Sequence, residues 1–179
     1  MPVWKSEDGG QTWEPKSYGI TNTRPLCFAM DPFNSSIVYL GCKSFKDKPV
    51  LFRTNDGGFR WERLNLSGYD INDILALFFP DEGIILILAT DKGILRGKPY
   101  YGNPRPQVGK DKGRGETCSS FVIVKEGNFK LLKYDKRLNK IFAKSADKIY
   151  QSVDGKKWQV YRSSDSIDFF GISDIIKRR

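Results

Sequence analysis

The sequence predicts an all-β protein built from repeated four-stranded antiparallel units. An octet that combines Ser or Thr with Asp, Gly and Trp occurs three times, with its aspartates at Asp8, Asp56 and Asp154. The aspartates are separated by 48 and then by 98 residues, which is twice 49, so one copy is missing near residue 105. Each octet lies between two short apolar segments, a pattern typical of two strands joined by a tight turn.

The remainder of each period supplies two further strands. Apolar segments occur in pairs, at residues 26–30 and 37–40, 74–79 and 84–89, and 129–132 and 141–143. Turn-forming residues separate the two members of each pair, at 31–34, 80–83 and 135–139. One period therefore contains four short strands, which is the make-up of a blade in a β-propeller.

The octets have the chemistry of a turn. Their Asp side chain can accept backbone N–H bonds, their Gly can adopt positive φ, and their Trp can lie against the preceding strand. We therefore expect a structural role for the octet residues, and equivalent surroundings for the three tryptophans. These residues are Ser6, Asp8, Gly10, Thr12 and Trp13, then Thr54, Asp56, Gly58 and Trp61, then Ser152, Asp154 and Trp158.

Composition excludes several classes of site. The 179 residues include no histidine, which removes histidine-dependent catalytic triads and His-based zinc sites. The three cysteines, Cys27, Cys42 and Cys118, are too few and too scattered for a disulfide framework, so we expect buried thiols. We expect no cofactor and no metal. The longest apolar run, residues 84–89, is too short to span a bilayer, and residues 1–15 lack signal-peptide character. A soluble protein is predicted, with no compartment assigned.

The octets resemble Asp-boxes, also called BNR repeats, whose pattern is Ser/Thr-x-Asp-x-Gly-x-Thr-Trp. The first octet matches the pattern fully, the second has Arg60 in place of Thr, and the third is one residue shorter. Proteins with this repeat include sialidases, xyloglucan-cleaving glycosidases, sortilin-type receptors and photosystem assembly factors. The resemblance implies a β-propeller with the boxes on the face away from the usual ligand site, and because the family contains enzymes and binders it selects no function.

The number of blades remains open at this stage. We treat residues 1–179 as one domain of about four blades, in which residues 167–176 resemble a first strand and could join the half-blade at the start of the chain. The alternative is part of a larger propeller, completed by another chain or by further sequence. Exposed blade edges favour self-association, so a homo-oligomer is also considered.

Candidate site residues come from the loops expected on the ligand face. Ligand binding is predicted for residues in the inter-blade links and in the loops between second and third strands: Arg24, Tyr69, Lys48, Lys92 and Lys148. Carboxylates in or near the links could form the acid/base pair of a glycosidase, and the candidates are Asp70, Asp73, Asp165 and Asp168. No complete sialidase set is visible, since Arg24-Pro25 lacks the Ile of an Arg-Ile-Pro segment.

A basic segment rich in Gly and Pro, residues 98–116, replaces the missing octet. Its cations include Arg105, Lys110, Lys112 and Arg114, and the net charge of the whole chain is +9. Such a segment could hold a polyanion, for example nucleic acid or a sulfated glycan. The leading functional hypothesis is a non-catalytic binding or assembly scaffold that engages protein or glycan through propeller loops. A glycoside hydrolase and a polyanion-binding module are the alternatives, and no membrane partner is expected.

Overall fold

The computed structural model describes residues 3–20, 23–45, 49–99 and 121–163. Every regular element in these ranges is a β-strand, which confirms the all-β prediction. The strands in chain order are β1 (Trp4–Lys5), β2 (Glu14–Pro15), β3 (Arg24–Met30), β4 (Val38–Lys43), β5 (Pro49–Thr54), β6 (Glu62–Ser67), β7 (Ile71–Phe79), β8 (Gly83–Thr90), β9 (Gly93–Gly97), β10 (Val122–Glu126), β11 (Phe129–Asp135), β12 (Lys140–Ser145), β13 (Lys148–Ser152) and β14 (Gln159–Ser163).

The strands form one two-stranded and three four-stranded sheets. β1 pairs with β2, and the larger sheets are β3–β6, β7–β10 and β11–β14. In each large sheet every strand pairs antiparallel with the next strand along the chain, so each is a simple meander. The six paired apolar segments of the sequence form strands, as predicted. They correspond to β3 and β4, β7 and β8, and β11 and β12. The basic segment 98–116 lies mostly outside the described residues, so its predicted loop character stays a prediction.

The first strand of each large sheet carries a β-bulge at the same position. The pairing register shifts at Leu26 in β3, at Asn72 in β7 and at Lys130 in β11, the single residue skipped in each case. A bulge adds one residue to one strand and is a built feature of the backbone rather than an accident. The three sheets therefore repeat in register as well as in topology.

The middle sheet is covered on both faces, which explains the continuous apolar run of β8. Leu86 and Leu88 face a core shared with sheet β3–β6, while Ile85 and Ile87 face a core shared with sheet β11–β14. Successive side chains of a strand point to opposite faces, so a strand buried on both sides needs apolar residues throughout. All four side chains are fully buried. β7 contacts both β3 and β11, so the three first strands are neighbours.

The loops separate into two sets at opposite ends of the sheets. The turns that contain the octets and the turns between first and second strands lie at one end, which we call the box end. The links between sheets and the turns between second and third strands lie at the other end, which we call the loop end. This follows from the meander, since consecutive turns of antiparallel strands alternate between the two ends.

Candidate functional site

The first octet turn is held by its own side chains. The Ser6 hydroxyl donates to Asp8 (2.8 Å) and accepts the Gly10 N–H (2.7 Å). Asp8 also accepts the Thr12 N–H at 2.9 Å and the Thr12 hydroxyl at 2.6 Å. These bonds, led by that of the Thr12 hydroxyl, hold the pKa of Asp8 well below its ordinary value of 3.8. The carboxylate of Asp8 therefore accepts its hydrogen bonds from residues of its own turn.

The second octet repeats this network. The Thr54 hydroxyl donates to Asp56 at 2.7 Å and accepts the Gly58 N–H at 2.9 Å. Asp56 accepts the Arg60 N–H at 2.9 Å, so the backbone donor is kept although Arg60 replaces the Thr of the pattern. Gly58 has φ +97°, a left-handed conformation that favours glycine.

The third octet reaches the same arrangement with one residue fewer. The Ser152 hydroxyl donates to Asp154 at 3.1 Å and accepts the Gly155 N–H at 2.9 Å. Asp154 accepts the N–H groups of Lys156 (2.8 Å) and Lys157 (3.1 Å). The predicted turn chemistry of the three aspartates is therefore what the structure shows in each copy.

The three tryptophans do not have equivalent surroundings, contrary to expectation. Trp13 is 57% exposed, Trp61 is 5% exposed and Trp158 is half-buried. The indoles of Trp13 and Trp158 donate to the carbonyl three positions earlier, whereas the Trp61 indole donates to Lys16 O at 2.8 Å. The difference arises because the second octet packs on the link after β2, and the first octet has no described unit before it.

An ion-pair cluster that the sequence did not predict anchors the third octet. Arg96 of β9 binds Glu82 through two hydrogen bonds (3.0 and 2.7 Å), and Lys156 reaches the same carboxylate at 2.9 Å. The Arg96 Nε–H also donates to Asp154 O at 3.1 Å. Hydrogen bonds from Arg96 and then Lys156 lower the pKa of Glu82 to about 2. Arg96 and Glu82 belong to the same sheet but are 14 positions apart, and Asp154 and Lys156 join them only when sheet β11–β14 packs on sheet β7–β10, so no local pattern connects these positions.

At the loop end, Asp70 ties two sheets together. Its Oδ1 accepts the Ser44 N–H at 2.7 Å, and its own N–H donates to Asp91 Oδ1 at 2.8 Å. The Asp91 N–H returns a bond to Asp70 O at 3.2 Å, and Lys43 Nζ lies 3.9 Å from Asp70 Oδ2. The candidate acid/base residue thus serves as a bridge between the β4 end, the β6–β7 link and the β8–β9 turn.

Asp73 has a similar bridging role between β7 and β11. Its Oδ2 accepts the Leu132 N–H at 2.7 Å, and its Oδ1 accepts the Ile74 N–H at 2.9 Å. Burial raises the pKa of Asp73, and the two backbone hydrogen bonds only partly oppose that rise. The other two carboxylate candidates, Asp165 and Asp168, lie outside the described residues.

The predicted ligand-binding cations of the loop end are exposed where the structure describes them. Arg24, Lys92 and Lys148 are exposed, and Lys92 Nζ lies 5.3 Å from the ring centroid of Tyr69. Lys148 Nζ is 3.8 Å from Asp147. The remaining predicted cations lie outside the described ranges: Lys48, Arg105, Lys110, Lys112 and Arg114.

A second surface, which the sequence did not single out, is an apolar groove of about 340 Å³ between the two-stranded sheet and sheet β3–β6. Trp4, Trp13, Phe28 and Met30 line it, and each is more than half exposed. Residues 26–30 are all apolar, so the sequence does not tell which face of β3 is covered.

The ranges that the structure describes contain no group of three or more metal-ligating side chains and no helix with the length and apolarity to cross a membrane. Cys42 is fully buried, as expected, whereas Cys27 is only half-buried and Cys118 lies outside the described residues. Burial raises the pKa of Cys27 and of Cys42. Comparison of the chain with protein-family models and with curated proteins gives no match.

Proposed function

We propose that the sheets are blades of an Asp-box β-propeller and that the chain is a non-catalytic scaffold that binds a protein partner through its loop end. Support for the fold comes from three meander sheets, from first strands that are neighbours, and from a bulge repeated in register. The repeated hydrogen bonds of the octet turns support the same interpretation.

The hydrogen bonding of Asp70 and Asp73 carries the functional proposal. A catalytic acid or base must direct an oxygen at the reacting atom of the substrate. Here Asp70 binds the Ser44 N–H and Asp73 binds the N–H groups of Leu132 and Ile74, so these carboxylates join strands and links. These hydrogen bonds hold neighbouring strands and links to one another, and a preorganised surface loses little entropy on binding.

The charges at this surface indicate the kind of partner. The carboxylates of Asp70 and Asp91 accept backbone hydrogen bonds, while Arg24 and Lys92 are exposed. The chain as a whole carries a net charge of +9. Complementary charge steers association and selects partners, so the partner surface that fits is acidic.

A charge-reversal pair tests this proposal. The double variant Arg24→Glu/Lys92→Glu alters the loop end, and Lys136→Glu/Lys157→Glu makes the same change in net charge at the box end. Binding of fluorescently labelled poly-glutamate is measured by anisotropy over a series of salt concentrations. The loop-end variant is expected to lose about tenfold in affinity and the box-end variant much less. Equal losses, or no binding by the unmodified chain, would rule out the loop end as the binding surface.

Binding of a polyanion is a second candidate, because exposed Arg24, Lys92 and Lys148 suit phosphate or sulfate as well as carboxylate. Heparin retention distinguishes the two. Replacement of Arg105, Lys110, Lys112 and Arg114 by Gln is expected to abolish salt-sensitive retention if the basic segment is the polyanion site. If the unmodified chain shows no salt-sensitive retention on heparin and the poly-glutamate result holds, the protein-binding scaffold is favoured.

Glycoside hydrolysis is checked separately, with a screen of polysaccharide substrates. The scaffold proposal expects no turnover by the unmodified chain. Turnover that disappears in Asp70→Asn or Asp73→Asn, with folding retained by circular dichroism, would replace the scaffold by an enzyme.

A further inference from the structure

An exposed phenylalanine lies at the loop end, in the longest turn between a second and a third strand. The turn between β4 and β5 spans residues 44–48, whereas the corresponding turns of the other two large sheets span only residues 91–92 and 146–147. Phe45 lies in this longer turn and is 59% exposed. Sequence analysis did not single it out, and it adds to the cations of the loop end an apolar group that a partner can reach.

One hydrogen bond holds the backbone at Phe45 close to the backbone at Tyr69. The Ser44 N–H donates to Asp70 Oδ1 at 2.7 Å. Phe45 follows the donor residue in the chain, and Tyr69 precedes the acceptor residue. The Tyr69 ring packs partly against the core, and Lys92 Nζ lies 5.3 Å from its centroid. The two aromatic residues therefore belong to one surface.

Cations lie on both sides of this surface. Arg24 and Lys43 are register partners at the ends of β3 and β4, and cross-strand partners lie side by side. Arg24 is exposed, and the Lys43 side chain is 54% exposed, two positions before Phe45. Exposed Lys92 belongs to the β8–β9 turn, which the hydrogen bonds of Asp70 join to the same surface. An acidic segment bound to these cations would lie beside the Phe45 ring.

Charge alone supplies little affinity at this surface. The exposed cations Arg24, Lys43 and Lys92 outnumber the neighbouring carboxylates of Asp70 and Asp91 by only one. Charged groups across an interface mainly steer association and select partners, whereas aromatic anchors contribute much of the binding free energy. An acidic partner therefore needs an apolar contact as well.

We infer that the acidic segment bound at the loop end also carries an apolar side chain, and that this side chain packs on the Phe45 ring. The inference rests on the proposed function, because it takes the acidic partner from there and adds the residue class that this partner presents beside its carboxylates. Burial of the ring and of the apolar side chain supplies affinity, while Arg24, Lys43 and Lys92 select the acidic neighbours of that side chain.

Two labelled glutamate peptides of equal length test the inference, one with phenylalanine at its centre and the other with serine. Anisotropy at a fixed salt concentration is expected to show about tenfold tighter binding of the phenylalanine peptide by the unmodified chain. Phe45→Ala is expected to remove this preference and to leave the affinity for the serine peptide nearly unchanged. Phe59→Ala is the matched control and is expected to retain the preference, because Phe59 is 60% exposed but lies in the second octet turn, at the box end.

The two peptides separate this inference from the proposed function. Equal affinity of the unmodified chain for both peptides, or a preference that survives in Phe45→Ala, would overturn the inference. Loss of serine-peptide binding in Arg24→Glu/Lys92→Glu would in that case still support the acidic partner. If neither peptide binds, both proposals are overturned. Tighter binding of an oligothymidylate, lost in Phe45→Ala, would assign the ring to a nucleic-acid base and also overturn the inference.

Photo-crosslinking of the unmodified chain gives a second test without a variant. Benzoylphenylalanine replaces the central phenylalanine of the peptide, and mass mapping locates the crosslinks. They are expected in the segments that contain Phe45 and Tyr69, and crosslinks confined to the octet turns would overturn the inference. Sedimentation without peptide checks the other occupant, since a dimer that dissociates in Phe45→Ala would assign the ring to a second copy and overturn the inference as well.

Discussion

At the residue scale, the chain uses one aspartate device three times. Each of the three aspartates, Asp8, Asp56 and Asp154, accepts a hydrogen bond from the hydroxyl of the residue two positions earlier. Each also accepts hydrogen bonds from one or two backbone N–H groups later in the turn. The device depends on side chains within a single turn, which is why residue types and spacing predicted it. In each copy, these hydrogen bonds use the oxygens of the carboxylate within the turn itself.

Replacing one of these aspartates is expected to cost stability. Asp56→Ala leaves the Thr54 hydroxyl and the Arg60 N–H without their acceptor, and the free energy of unfolding is expected to fall by about 1 kcal/mol. Urea unfolding measures the change, with the exposed neighbour in Asn55→Ala as control. A loss in the control equal to that in Asp56→Ala would contradict a specific role for the carboxylate.

The Glu82 cluster predicts a pH dependence. The pKa of Glu82 is about 2 in the folded chain against an ordinary value of 4.5, owing to hydrogen bonds from Arg96 and Lys156. Its contribution to stability is therefore complete above pH 4.5 and is lost as the pH falls toward 2. Glu82→Gln is expected to flatten this part of the curve of urea midpoint against pH. Asp81→Asn is the matched control, and an unchanged slope in Glu82→Gln would contradict the assignment.

At the element scale, the seam between sheets β3–β6 and β7–β10 depends on a strand residue without a side chain. A Cβ on Gly41 would lie 2.6 Å from Ile71 Cγ2 and 2.7 Å from Cys27 Sγ. Ala89 holds the same register position in β8, where a methyl group is accommodated. The close approach of β7 to β4 therefore requires glycine at position 41. The equivalent position of β8, which faces sheet β11–β14, holds alanine instead.

We expect Gly41→Ala to lower the free energy of unfolding by roughly 1–3 kcal/mol through overpacking. Ile71→Ala removes the Cγ2 atom that the new methyl meets, so the double variant is expected to lose less than the two single changes added together. Urea unfolding of the unmodified chain, the two single variants and the double variant measures this double-mutant cycle. Strict additivity would mean that Gly41 acts through strand conformation and not through the seam.

At the scale of the whole molecule, the middle sheet joins two cores. Ile87 faces the core shared with sheet β11–β14 and Leu88 faces the one shared with sheet β3–β6. Both faces belong to the same hydrogen-bonded sheet. A cavity on one face of β8 should therefore weaken the packing of this sheet on sheet β3–β6 and on sheet β11–β14. Blades that packed independently would behave otherwise, as in repeat proteins with weak interfaces.

Cavity-forming variants test this coupling. Ile87→Ala and Leu88→Ala are each expected to cost about 2–5 kcal/mol, since both side chains are fully buried. Hydrogen exchange is expected to accelerate in both β5 and β13 for either variant. An effect of Ile87→Ala confined to β13, with β5 unaffected, would show that the sheets unfold separately.

Local chemistry determined what was predictable from the sequence. The paired apolar segments and the turn residues between them located β3, β4, β7, β8, β11 and β12, and the octets located the three octet turns. The roles of Asp70 and Asp73 were not predictable, because type and spacing make each a plausible catalytic carboxylate. Asp73 binds Leu132, 59 residues away, and no local pattern contains that partner.

The strands in the paired apolar segments, the strands that flank the octets and the octet turns were predictable from the sequence, because side-chain period and turn geometry act over a few residues. The packing of the sheets decided which tryptophan is buried, which carboxylates bridge strands, and which face of β3 is open. Burial depends on what lies across an interface, and the residues that meet there, such as Asn72 and Phe129, are 57 positions apart in the chain.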